Sequence, residues 1–264
     1  MIKAIFFDVD GTLLSFKTHE MPESTKKSLI RLKEKGIKIF ISTGRSPNAF
    51  EKIYDRIGIE FDGFVYNNGQ YVVVGEEVIR DSYLPIEDLR KIVKYVEEKE
   101  IATSFTEMDY TYVNLLNDRI YKLLELLGST LEEKTVDSVK RIEDHKTYQL
   151  ASYIYEDEEK EFFARAPNLR GVRWHPLFVD VIPKDGGKAV GISKILEHFS
   201  IKKDETMAFG DGGNDTEMLE YVSYGIAMGN AVDSAKKVSK YVTDHVDEDG
   251  IYNALIKYEV IERL

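Results

Sequence analysis

Apolar and polar positions alternate along the first third of the chain in two rhythms, one of strand period and one of helix period. Lys3–Phe7 is a short apolar run of strand length, cut off by Asp8-Val9-Asp10-Gly11. A helix is predicted to begin near Pro22, with Leu29 and Leu32 on one face and Gly36 suited to its C-terminal cap. Ile37–Ile41 reads as the next strand and runs into Ser42-Thr43-Gly44-Arg45. Phe50, Ile53 and Ile57 then recur at helical spacing, and Gly63–Tyr66 makes a third strand. This β-α-β-α-β order predicts a parallel sheet with right-handed crossovers.

The last third follows the same rhythm. Lys188–Phe199 fits a helix with Ile192, Ile195 and Phe199 inward, and Thr206–Phe209 a strand ending at Gly210-Asp211-Gly212-Gly213-Asn214-Asp215. Met218–Tyr221 continues a helix, Tyr224–Ala227 is a strand, and Ala231–Val238 is another helix. Tyr241–Thr243 is a short last strand before a C-terminal helix.

Residues 82–182 differ. Helices at Glu87–Lys99, Asp118–Leu127 and Glu158–Ala166 are separated by strands at Ala102–Thr106, Thr111–Asn114 and Thr147–Tyr155. Strands at Gly171–His175 and Phe178–Ile182, with Pro176 in their turn, close the segment. The repeated α-β-β pattern implies antiparallel hairpins. A βαβ crossover needs only about a dozen residues, so about 100 imply an inserted α+β domain. The predicted organisation is therefore an α/β core built from residues 1–81 and 183–264, interrupted by a domain at 82–182.

Composition narrows what this architecture can do. The chain has 264 residues, 43% of them apolar, which suffices for a sizeable core. There is no cysteine, which excludes disulfides, thiolate metal ligation and a cysteine nucleophile. No run approaches the roughly 18 apolar residues of a membrane span. The start, MIKAIFFDVDG, is too short and too soon acidic for a secretory signal. A cytoplasmic protein without a membrane partner is expected. Its 36 basic and 47 acidic residues leave a net charge of −11, which disfavours a nucleic-acid partner. An anionic ligand would need local positive charge from a lysine or a metal ion.

The polar clusters fall at predicted strand C-terminal ends, where open α/β sheets bind ligands: Asp8 and Asp10, then Thr43, then Asp211. Carboxylates brought together there need a cation, and an all-oxygen donor set favours Mg²⁺. One threonine hydroxyl and one lysine would complete an anion site. Each element also has a plainer explanation. Asp8-x-Asp10-Gly11 could be a strand-end turn, and a calcium loop is excluded because Thr12 and His19 stand where it needs ligands. Ser42–Arg45 alone suits a helix start. Lys188 opens a helix against its dipole, a mismatch that favours a role. Asn214-Asp215-Thr216 matches a glycosylation sequon without any sign of secretion. The five histidines lack ligand spacing, and Trp174 suits hairpin packing.

DVDGTLL (Asp8–Leu14), STGR (Ser42–Arg45), Lys188 and GDGGNDTEML (Gly210–Leu219) resemble the four motifs of the haloacid dehalogenase superfamily of phosphatases. The strand end at Asn67-Asn68-Gly69 and the α-β-β insertion before Lys188 look like its Cof-type branch with a type IIB cap. The resemblance implies a Rossmann-like core and a Mg²⁺-dependent phosphatase of small phosphorylated metabolites, sugar phosphates foremost. It implies Asp8 as the nucleophile that forms an aspartyl-phosphate, and Asp10 as the general acid and base. Mg²⁺ would be held by Asp8, Asp211 and the Asp10 carbonyl, with Asp215 orienting ligands or Lys188. Thr43, Gly44, Lys188, Asn214 and the amides around Val9 would bind the phosphoryl group. Arg45, Asn68 and Asp180 would contact the rest of the substrate, beneath a cap that closes and excludes water.

Two rivals share these residues. A phosphomutase or a sucrose-phosphate-type phosphatase has the same core and cap. A non-catalytic phospho-receiver also combines acidic residues, Thr, Lys and Mg²⁺, but the insertion and Asp10 count against it. Nothing in the sequence specifies an oligomeric state.

Overall fold

The computed structural model describes residues 1–127 and 135–263, and of residues 124–127 the backbone alone. The first part of the chain runs β1 (Ala4–Phe7), α1 (Glu23–Glu34), β2 (Lys38–Ser42), α2 (Pro47–Ile57), β3 (Gly63–Tyr66), β4 (Tyr71–Val74) and β5 (Glu77–Asp81). The middle comprises α3 (Ile86–Glu98), β6 (Thr103–Thr106), β7 (Thr111–Val113), α4 (Asp118–Leu127), β8 (Gln149–Ser152), α5 (Glu159–Phe163), β9 (Leu169–His175) and β10 (Phe178–Pro183). The last part holds α6 (Lys188–Phe199), β11 (Thr206–Gly210), α7 (Thr216–Tyr221), β12 (Tyr224–Ala227), α8 (Asp233–Val238), β13 (Tyr241–Val242) and α9 (Gly250–Lys257).

The chain divides into two compact units. One comprises Met1–Arg45, Ala49–Asp81 and Gly187–Leu264, the other Ser46–Asn48 and Ser82–Gly186. The inserted unit thus extends four residues past the expected boundary at 182, because β10 runs on to Pro183 and Gly186 donates to the Pro183 carbonyl.

In the core unit an eight-stranded sheet runs β13-β12-β11-β1-β2-β3-β4-β5. The first six strands are parallel, as the alternating pattern predicts. β4 and β5 add an antiparallel hairpin at one edge, an extension that the sequence reading left without any element. Successive residues of the central strands point into two separate cores. Ile5, Phe7, Ile39, Ile41, Met207 and Phe209 pack with Leu29, Leu32, Phe50, Ile53, Ile251 and Leu255 of α1, α2 and α9. Ala4, Phe6, Phe40 and Ala208 pack with Ile192, Ile195, Met218, Leu219 and Ala235 of α6, α7 and α8. Strands covered on both faces read as unbroken apolar runs, which is why AIFF is buried at every position.

The inserted unit carries a five-stranded antiparallel sheet, β7-β6-β8-β10-β9. Phe105, Leu150, Val179 and Val181 pack under α3 and α5 through Leu89, Ile92, Val96 and Phe162. A second cluster joins Ile120 and Leu123 of α4 to Ala102, Val113, Tyr153 and Phe178, with Trp174 packed against it. No helix among the described residues is long and apolar enough to cross a membrane.

Candidate active site

The strand register assembles the site. β1 lies between β2 and β11 with Phe7 opposite Ile41 and Phe209, so Asp8, Thr43 and Asp211 leave the carboxyl ends of three adjacent parallel strands. The backbone locks this arrangement, since the Asp8 amide donates to the Phe209 carbonyl at 3.0 Å. On the β2 side, Asn68 N donates to Thr43 O at 3.0 Å and Asn67 N to Arg45 O at 2.9 Å.

Lys188 is buried at the first turn of α6, where the helix dipole disfavours a cation. Two carboxylates overcome this: its Nζ donates to Asp8 Oδ1 at 2.7 Å and to Asp215 Oδ1 at 2.5 Å. Burial alone would lower the Lys188 pKa, but Asp215 and Asp8 outweigh it and hold the ammonium above its usual range. Asp215 is fully buried, and its other oxygen accepts the amides of Asp211 and Gly212, both at 2.9 Å. It therefore orients Lys188 and the loop after β11 at once.

Asp8, Asp211 and Asp215 bring one carboxylate oxygen each within 4.8 Å of one another. Three buried acids facing one ammonium leave excess negative charge. Asp8 is accordingly pushed from an ordinary 3.8 up to about 7, by burial first and by the Asp215 charge next, against the opposing pull of Lys188. Asp211 is raised well above the usual carboxylate range, by burial first and then by Asp8 and Asp215. A hard divalent cation fits this all-oxygen cluster and would relieve its repulsion. Both Asp215 oxygens accept bonds from Lys188 and the loop amides, while one Asp8 oxygen accepts from Lys188.

The phosphate-binding candidates divide by contact. Thr43 is buried, and its Oγ1 accepts from the Arg45 amide at 3.1 Å, which leaves its proton to donate elsewhere. Gly44 lies against the Asn68 side-chain amide: a Cβ at Gly44 would stand 3.2 Å from Asn68 Nδ2. Asn214 Nδ2 donates to Asn68 Oδ1 at 3.2 Å, joining the loops after β3 and β11. The Val9 carbonyl accepts the amides of Leu13 and Leu14, tying the residues after β1 into a tight turn. Gly11 in that turn has φ +83°, and a Cβ there would overlap Asp211 Oδ2.

All three expected substrate contacts have protein partners, Asn68 through Asn214. Arg45 forms a two-bond fork on Asp10, with Nε to Oδ2 at 2.7 Å and Nη2 to Oδ1 at 2.8 Å. Asp180 belongs to β10 of the inserted unit, where it is buried and accepts from Trp174 Nε1 at 3.2 Å.

Sequence reasoning overlooked two residues that steady the acidic cluster. Thr12 Oγ1 donates to Asp211 Oδ1 at 3.1 Å, and it lies inside the first motif. Asn230 donates to the Gly11 carbonyl at 2.8 Å and accepts the Val246 amide at 3.0 Å, with its Nδ2 also 3.5 Å from Asp211 Oδ2. Its signal was positional, since Gly229-Asn230 follows the carboxyl end of β12.

Comparisons with known proteins bear on the family and the fold. YkrA of Bacillus subtilis, whose phosphatase name is provisional, is 38% identical over 253 residues, which cover 96% of each chain. The solved structure of BT4131, described as a subclass IIB sugar phosphatase, superposes with a TM-score of 0.88 at 40% identity, covering 98% of this chain and all of that one. BT1666 of Bacteroides thetaiotaomicron, described among phosphatases of the same superfamily, gives 0.91 at 35% identity, covering 99% and 96%. Residues 5–255 match the haloacid dehalogenase-like hydrolase family along nearly the whole chain, and the protein is a member of that family.

Proposed function

We propose that the protein is a Mg²⁺-dependent phosphatase that hydrolyses phosphomonoesters of small metabolites, sugar phosphates foremost, through an aspartyl-phosphate. The observation that carries this reading is the excess of buried acid around one ammonium at the carboxyl ends of β11, β1 and β2. The sugar-phosphate preference rests on the likeness to BT4131.

In this reading an Asp8 oxygen attacks phosphorus while the bond to the leaving oxygen breaks. Asp10 gives its proton to the departing alkoxide. Water then attacks the phosphorus of the acyl phosphate, Asp10 takes the water's proton, and Asp8 is restored as inorganic phosphate forms. Lys188 neutralises charge on the transferring group, while the Thr43 hydroxyl and Asn214 amide hydrogen-bond its oxygens. Asp215 keeps Lys188 aimed at Asp8. When bound by Asp8, Asp211 and the Asp10 carbonyl, Mg²⁺ supplies further charge neutralisation.

A phosphate-release screen over phosphorylated sugars, nucleotides and cofactors, with and without Mg²⁺, tests this assignment. The expected outcome is metal-dependent release with the highest kcat/KM on sugar phosphates. Stable phosphorylation of Asp8 without release, or release indifferent to chelation, would overturn it.

A further inference from the structure

We propose that Arg45 is a positioning residue that sets the orientation of the Asp10 carboxylate, rather than a contact for substrate. The proposal deepens the phosphatase reading and rests on it. A carboxylate turns easily about its last side-chain torsion, a broad and soft rotation. Two parallel bonds from one planar guanidinium remove that freedom, fixing both the plane and the rotamer of the acid. Nε and Nη2 of Arg45 make such a pair with Oδ2 and Oδ1 of Asp10, at 2.7 and 2.8 Å.

The backbone that presents Arg45 is held at both ends. Its amide donates to Thr43 Oγ1 at 3.1 Å, and its carbonyl accepts the Asn67 amide at 2.9 Å. Asn67 and Asn68 are buried with φ of +49° and +51°, a conformation that non-glycine residues rarely adopt. The turn after β3 therefore anchors Arg45, and Arg45 anchors Asp10. The Arg45 and Asp10 side chains retain 26% and 35% of their exposure, so this pair adds little to folding. Its consequence is geometric.

Substrates that differ in their leaving group separate this role from substrate binding. The ratio kcat/KM reports events up to departure of the leaving group. An alkoxide needs a proton from Asp10, whereas 4-nitrophenolate departs without one. Arg45→Ala is expected to lower kcat/KM for a hexose 6-phosphate by about 100-fold, but for 4-nitrophenyl phosphate by less than about threefold. Arg45→Lys, which keeps the charge but not the fork, should recover only part of the loss. In an Asp10→Asn background, Arg45→Ala should cost less than about twofold further. Thermal unfolding checks that each variant folds, and Arg45→Gln takes the place of an alanine variant that does not. Equal losses on both substrates through a raised KM, or an undiminished loss in the Asp10→Asn background, would overturn the proposal. Asp8→Asn separates the two claims, because turnover surviving in that variant would defeat the aspartyl-phosphate mechanism whatever Arg45 does.

Discussion

The core unit and the inserted unit both place cations on carboxylates, but with opposite electrostatic results. In the inserted unit Arg119 grips Glu158 through two bonds of 2.6 and 3.0 Å, and Arg173 bonds Glu159 at 2.6 Å. Each of these two arginines is hydrogen-bonded to one acid. The Arg119 hydrogen bond holds the Glu158 carboxyl below its usual range, so ionisation and folding favour each other. In the core unit three buried acids share one ammonium, and burial with mutual repulsion pushes Asp8 in the opposite direction. Balanced pairs knit a fold together. Unbalanced buried charge costs stability until a ligand of opposite sign arrives, which makes the core cluster the candidate site for a cation.

Neutralising Asp8 should break the comparison most severely. Asp8→Asn is expected to lower phosphate release by about 10⁴-fold or more while leaving the metal-free melting temperature unchanged or higher, since one repelling charge is gone. Substantial turnover in this variant would remove the nucleophile. Lys188→Met acts in the opposite sense: the acidic cluster loses the ammonium that bonds Asp8 and Asp215, and chemical denaturation of the metal-free protein should show a loss of about 3–5 kcal/mol. A wild-type midpoint would mean that the cluster does not depend on Lys188.

Magnesium should erase the contrast between the units, and it should do so in a pH-dependent way. Between the ordinary 3.8 and the raised value of about 7, folded metal-free protein holds an Asp8 proton that the unfolded chain has released. Stability from this group is thus present at low pH and declines as pH rises towards and through 7. Mg²⁺ competes with that proton, so the melting-temperature gain on adding Mg²⁺ should grow from pH 5.5 to pH 8. At one hundred times Kd the gain corresponds to about 2.7 kcal/mol. A gain independent of pH would place the cation elsewhere.

The smallest effect belongs to the inserted unit. Glu158→Gln should cost about 1 kcal/mol near neutral pH, measured by chemical denaturation. Because the folded Glu158 carboxyl is held below its ordinary 4.5, its contribution is present above that value and lost as pH falls through the lowered one. The difference between variant and wild type should therefore shrink in acid, and a constant difference would assign the loss to packing.

The buried parallel strands were legible because runs such as AIFF and KIFIS have few alternatives to a covered strand. The β4–β5 hairpin was not legible. β5 is EVIRD at the sheet edge, half exposed and charged, so the periodic contrast that marks a covered strand is weak there. In the inserted unit the strand expected at Thr147–Tyr155 shrinks to Gln149–Ser152, and the helix expected at Glu158–Ala166 shrinks to Glu159–Phe163. Pairing partners set those ends, and local composition does not report them. Among site residues, Asp8, Thr43, Lys188 and Asp211 stood out because polar residues interrupt apolar runs at strand and helix ends. Asn230 also follows a strand end, but only the fold brings it beside Gly11.

The sequence by itself determined the alternation of strands and helices, the inserted α-β-β segment and the choice of hard oxygen donors, all of which follow from residue type and spacing. Tertiary structure decided how those donors are used. It brought Asp215 and Asp8 together onto Lys188 and turned Arg45 onto Asp10. The physical reason is that hydrogen-bond partners 27 to 180 positions apart meet only after strand register and helix packing have been chosen. No local pattern encodes which of several aspartates will receive the buried Lys188 ammonium.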